Sequence, residues 1–126
     1  MALKGTRVLL VEDEGVIVML VARMLESVGC TVVGVAARVN DALDKVANLV
    51  FDVALLDINL AGNVTYPVAD ALRARGIPFV FATGYGSSAL KAELRGAPVL
   101  SKPYVLAQLV AALAQAVEKP DIAAAV

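Results

Sequence analysis

Four separated places in the chain carry side chains able to do chemistry on a charged ligand: the acidic run Glu12-Asp13-Glu14, then Asp57, Thr83 and Lys102. Each follows an apolar run of the kind that forms a buried β-strand. Val8-Leu9-Leu10-Val11 precedes Glu12, the run from Phe51 to Leu56 precedes Asp57, Phe79-Val80-Phe81-Ala82 precedes Thr83, and Pro98 to Leu100 comes just before Lys102. A carboxylate that closes a buried apolar run is costly to hold unless a cation or a hydrogen-bond donor stands beside it. Taken singly, these residues have ordinary explanations. Carboxylates at strand ends cap helices or sit solvated in loops. Thr83 suits a strand as a β-branched residue, Lys102 before Pro103 suits a solvated loop, and Gly84 and Gly86 suit turn geometry. Together they are harder to explain that way, because several independent strand ends would each deliver a charged or polar group to one mouth.

That mouth exists only if the strands lie parallel, and the elements between them argue that they do. Short apolar runs alternate with longer helical patterns, as expected of strand-helix units repeated around a parallel sheet. Five units are predicted. Arg7 to Glu12 forms the first strand, and Gly15 to Val28 an amphipathic helix whose face runs through Val16, Met19, Leu20, Arg23 and Met24, closed by Gly29. Thr31 to Ala37 is the second strand. Val39 to Asn48 is a helix with Asn40 and Asp41 placed to satisfy free donors near its start. Phe51 to Leu56 is the third strand, and Ile58 to Tyr66 a loop leading into a helix that ends near Arg75. Phe79 to Ala82 is the fourth strand, followed by Gly84-Tyr85-Gly86 and a short helix over 87–94. Pro98 to Leu100 is the fifth. Tyr104 to Glu118 is the last helix, with Leu106, Leu109, Val110, Leu113 and Val117 on one face and Pro120 as its stop. Open parallel sheets bind ligands at the carboxyl ends of their strands, and the unusual polar residues fall there.

Composition narrows the function classes. The 126 residues suit one domain with one function, and the 60% apolar content is what strands buried on both faces require. The longest uncharged stretches, Gly76 to Leu90 and Pro103 to Val117, are too short and too interrupted for a membrane span. Met1 to Thr6 lacks the apolar core of a secretory signal, so a cytoplasmic location is expected. Cys30 is the single cysteine and the chain has no His, which leaves a zinc site or an internal disulfide without ligands or partner. A net charge of -1 with scattered Lys and Arg offers no basic stripe for DNA or RNA.

These residues and their spacing resemble the receiver domain of two-component response regulators, over Lys4 to about Glu118, with 119–126 as a tail. The resemblance implies a doubly wound α/β, (βα)5 flavodoxin-like fold with a five-stranded parallel sheet of order 2-1-3-4-5. It implies that Asp57 accepts a phosphoryl group. Glu12, Asp13, Asp57 and the backbone carbonyl of Asn59 would then hold Mg²⁺ or Mn²⁺, and Thr83 and Lys102 would contact the phosphoryl oxygens. The Lys102-Pro103 peptide would be cis. Phosphorylation adds roughly -1.5 to -2 charge, and engagement of Thr83 would order the Gly84-Tyr85-Gly86 loop. Implied partners are a sensor histidine kinase or a phosphotransfer protein, and a downstream protein target still to be identified. A phosphate sink, or a receiver module of a hybrid histidine kinase, is the alternative use. The run Phe81-Ala82-Thr83-Gly84-Tyr85 resembles the FAT GUY subgroup, many of them single-domain regulators.

Two positions depart from the family pattern. Val99 stands where a switch aromatic is usual, so Tyr85 or the ordering of 84–94 is expected to take over signalling. Ala61 stands where a proline is usual in the loop after the acceptor. Asn59 and Tyr85 are expected to flank the phosphoryl group and tune its hydrolysis. Two other classes compete. A phosphatase of the haloacid-dehalogenase type would need an acid where Asn59 stands, so enzymatic turnover of other phosphate esters is not expected. A phosphorylation-independent binding module would not need the intact set of Asp57, Thr83 and Lys102.

Overall fold

Successive side chains on a strand point to opposite faces, and in this chain both faces of the central strands are apolar. The computed structural model describes residues 3–84 and 96–118. In chain order it contains β1 (Arg7–Val11), α1 (Gly15–Ser27), β2 (Thr31–Ala36), α2 (Val39–Asn48) and β3 (Val53–Asp57). There follow β4 (Asn59–Leu60), β5 (Asn63–Val64), α3 (Tyr66–Ala74), β6 (Phe79–Thr83), β7 (Val99–Ser101) and α4 (Leu106–Glu118). The five long-range strands form one parallel sheet, β2-β1-β3-β6-β7, which is the expected 2-1-3-4-5 order. Leu9 and Val11, Ala54 and Leu56, and Phe79 and Phe81 face one core with Ala42 and Val46 of α2 and Val68 and Leu72 of α3. Their neighbours Val8 and Leu10, Val53 and Leu55, and Val80 and Ala82 face the other, with Val21 and Leu25 of α1 and Leu109 and Leu113 of α4. The helices therefore cover both faces and leave the carboxyl ends of the strands open.

Three local expectations are corrected. The buried side of α1 is Val21 and Leu25, while Val16, Met19 and Leu20 of the expected face are exposed. From Val16 to Leu25 this helix is apolar almost all round, so its periodicity does not single out a face. Helix α2 takes Arg38 as its N-cap, in extended backbone and without a side-chain capping bond. Asp41 instead receives Lys45 Nζ one turn on, at 2.7 Å. The stretch expected as plain loop after Asp57 contains the antiparallel hairpin β4-β5. Its two turn residues, Ala61 and Gly62, have φ of +51° and +85°, as a tight two-residue hairpin turn demands. The helix expected over 87–94 lies outside the described residues. Among the described residues no helix is long and apolar enough to cross a membrane.

At the amino ends of the strands, Arg7 clamps Asp52 through its backbone N–H at 2.7 Å and its guanidinium at 3.0 and 3.1 Å. The hydrogen bonds and charge of Arg7 hold the Asp52 carboxyl below its ordinary range. This fastens β1 beside β3, so that the residues after both strands emerge side by side.

Candidate functional site

Each strand positions its polar residue by ending. Glu12 follows β1 and is held in sheet register by its N–H, which donates to the Ala36 carbonyl at 3.0 Å. Asp57 and Thr83 are the last residues of β3 and β6. Lys102 follows β7 and donates its N–H to the Thr83 carbonyl at 2.8 Å. The Lys102-Pro103 peptide is cis, as expected. Glu12, Asp57 and Thr83 are 4%, 9% and 3% exposed, so polar groups buried at the sheet edge must satisfy one another. Glu12 and Asp57 do so through Lys102, whose Nζ lies 3.0 Å from Glu12 Oε1 and 3.1 Å from Asp57 Oδ2. The second oxygen of Glu12 accepts the N–H groups of Asp13 and Glu14 at 3.0 and 3.2 Å. Asp13 is exposed, and its Oδ2 accepts the Ala61 N–H at 3.1 Å, which ties the hairpin turn to the acidic pair.

Burial pushes the Asp57 carboxyl up to about 6, against the opposing pull of the Lys102 ammonium and with a smaller push from Glu12. Burial alone would lower the Lys102 ammonium, but its hydrogen bonds to Glu12 and Asp57 and their charges carry it above the ordinary lysine value. Tyr104, two residues on, is pushed up to about 12, chiefly by burial. The Asp57 carboxyl therefore stands above the ordinary carboxylate range while its ammonium partner stays charged.

Glu12, Asp13 and Asp57 each offer one carboxylate oxygen, and these oxygens lie within 4.8 Å of one another. The donor set is all oxygen, which suits a small hard divalent cation. The residues fit Mg²⁺ or Mn²⁺. Asn59, the fourth expected ligand through its carbonyl, is half-buried at the start of β4. Gly84 directly follows β6, while Tyr85 and Gly86 lie outside the described residues. Val99 is half-buried, pairs with Phe81 across β6 and β7, and packs against the core beside α2 and α3.

Ala61 also accounts for the missing proline. A proline ring fixes φ near -65° and carries no N–H. Ala61 has φ of +51° and uses its N–H on Asp13, so this hairpin excludes proline there.

Sequence reasoning missed Thr65. It is fully buried, and its Oγ1 donates to the Asp57 carbonyl at 2.6 Å with a longer approach of 3.2 Å to the Ile58 carbonyl. In sequence Thr65 is one residue of the stretch from Ile58 to Tyr66 that reads as loop, and nothing local connects it to the acceptor strand.

The model of the response regulator receiver domain matches residues 8–114. The chain belongs to the response regulator receiver domain family. It is similar to SdrG from Sphingomonas melonis Fr1, at 41% identity over 90% of this chain and 97% of that one, with a TM-score of 0.76. It is also similar to PhyR from Brucella abortus, at 30% identity over 98% of this chain, with a TM-score of 0.80, and spans 54% of that protein. The receiver domain of PhyR from Erythrobacter litoralis matches at 28% identity over 94% of this chain and 95% of that one, with a TM-score of 0.82. No curated protein sequence matches the chain. As a receiver domain it is a signalling switch of the phosphorylation type.

Proposed function

We propose that Asp57 is the phosphoryl acceptor of this receiver domain and takes the group from a phosphohistidine of a sensor histidine kinase or phosphotransfer protein. The observation that carries this reading is the buried Asp57 carboxylate held by Lys102 and flanked by Glu12 and Asp13 at the strand ends. An ionised Asp57 oxygen forms the O–P bond as the donor's N–P bond breaks, and the imidazole nitrogen keeps the electron pair and takes up a proton. Glu12, Asp13, Asp57 and the Asn59 carbonyl would hold the Mg²⁺ or Mn²⁺. Bound there, the cation supplies positive charge that offsets repulsion between the carboxylate and the anionic donor.

Lys102 already reaches Asp57 Oδ2 and pairs as a point charge with a phosphoryl group placed on that carboxylate. Thr83 donates its hydroxyl to a phosphoryl oxygen, and the end of β6 shifts with that bond. The chain catalyses only its own phosphoryl acceptance and loss. A relative, PhyR of Bartonella quintana, is described as an anti-anti-sigma factor, and this chain spans 49% of it. A protein target of that regulatory class is a candidate reader of the switch. The FAT GUY assignment rests on the run from Phe81 to Tyr85.

The test is the intact mass of wild type and Asp57→Asn after incubation with Mg²⁺ and acetyl phosphate or a candidate kinase. A labile phosphoryl adduct on wild type alone is expected. No adduct with any competent donor would overturn the reading in favour of a phosphorylation-independent binding module.

A further inference from the structure

Thr65 occupies the N-cap of α3 yet makes no side-chain capping bond. An N-cap hydroxyl ordinarily accepts a backbone N–H from the second or third helical residue. Here the second is Pro67, which has no N–H, and the N–H of the third, Val68, already goes to the Thr65 carbonyl at 2.9 Å. The helix start therefore leaves the hydroxyl unclaimed. It turns back to the end of β3 and donates to the Asp57 carbonyl at 2.6 Å, while the Thr65 N–H donates to the Ile58 carbonyl at 2.9 Å. Both bonds close the base of the hairpin that carries Asn59, and the Ala61 N–H fastens its tip to Asp13. With Thr65 wholly buried, water does not replace the hydroxyl if it is removed.

We infer that Thr65 is a positioning residue for the acidic site: its hydroxyl clamps the Asp57 main chain and fixes the hairpin between Asp57 and Asp13, so that the carboxylates and the Asn59 carbonyl converge on one cation. This rests on the reading of Glu12, Asp13, Asp57 and Asn59 as cation ligands. Thr65→Val keeps the shape and removes the donor, and Thr65→Ser restores it.

The experiment titrates wild type, Thr65→Val and Thr65→Ser with Mn²⁺ and follows paramagnetic broadening of the Glu12, Asp13 and Asp57 amide signals, with folding checked by circular dichroism well below each variant's melting temperature. The expected result is a loss of Mn²⁺ affinity of about fivefold or more in Thr65→Val, equal to about 1 kcal/mol, with recovery in Thr65→Ser. A Thr65→Val protein that melts earlier but binds Mn²⁺ as wild type does would show a structural role only and overturn the inference. If Thr65→Val does not fold, Thr65→Ser and Thr65→Asn decide it: retained affinity in the first and reduced affinity in the second support the clamp, and equal affinities overturn it. Failure of wild type itself to bind Mn²⁺ would overturn the cation reading and the inference with it, whereas wild-type binding with an unaffected Thr65→Val overturns the inference alone.

Discussion

Asp57→Asn should stabilise the cation-free protein near neutral pH. A carboxyl raised from 3.8 to about 6 on folding binds its proton more tightly in the native state than in the unfolded one. Between those values the native state holds the extra proton, so stability falls as pH rises through the window and levels off above it. Well below the ordinary value of 3.8 both states are protonated and the penalty vanishes. At about 1.4 kcal/mol per pH unit, the shift of roughly two units corresponds to about 3 kcal/mol at neutrality. Asparagine escapes this penalty but holds Lys102 less strongly, so the net gain should be about 1–3 kcal/mol, or roughly 5–10 °C in melting temperature for a domain of this size. Urea denaturation of both proteins from pH 4 to 8, in chelator and then in excess Mg²⁺, reads the effect. The two stability curves should meet at acid pH and separate toward neutrality in chelator, and Mg²⁺ should narrow the gap by stabilising wild type. Parallel curves in chelator, or a variant less stable than wild type at pH 7, would refute the argument that an incompletely compensated buried carboxylate opposes folding.

Lys102→Ala should cost about 3 kcal/mol in chelator, because it leaves Glu12 and Asp57 buried without their ammonium; Mg²⁺ should recover a good part of this, as read by denaturant titration. Ala61→Gly should stabilise the fold by up to about 1 kcal/mol, because glycine adopts the turn's positive φ without a Cβ clash; thermal unfolding checks this. Gly34→Ala should destabilise by about 1 kcal/mol, since a Cβ there comes within 2.9 Å of Leu49 Cδ1 and the leucine end must shift; the same unfolding assay applies. In an ultraviolet titration of the three tyrosines, Tyr104→Phe should remove a late ionisation near 12.

The alternation of Val8 to Val11, Val53 to Leu56 and Phe79 to Ala82 with helical stretches was enough to read a parallel sheet, because strands buried on both faces must be apolar throughout. Polar residues that abruptly end such runs stand out for the same reason, and Glu12, Asp57, Thr83 and Lys102 were legible without coordinates. Strand order was legible only through resemblance, since nothing local in a strand names its neighbours. The buried face of α1 was not legible, because a helix apolar on most sides has its orientation chosen by the surfaces it packs against. Nor was the hairpin after Asp57, whose turn uses an alanine at positive φ stabilised by a bond to Asp13, a residue 48 positions away. Thr65 shows the limit most clearly. In sequence it is one residue of the loop that leads into a helix, where a hydroxyl ordinarily serves the helix start. Only the folded chain reveals that Pro67 leaves that hydroxyl without a capping partner and that the Asp57 carbonyl lies within its reach. Local patterns determine which residues must be buried and where strands end; which buried groups meet depends on long-range geometry, and that belongs to the tertiary structure.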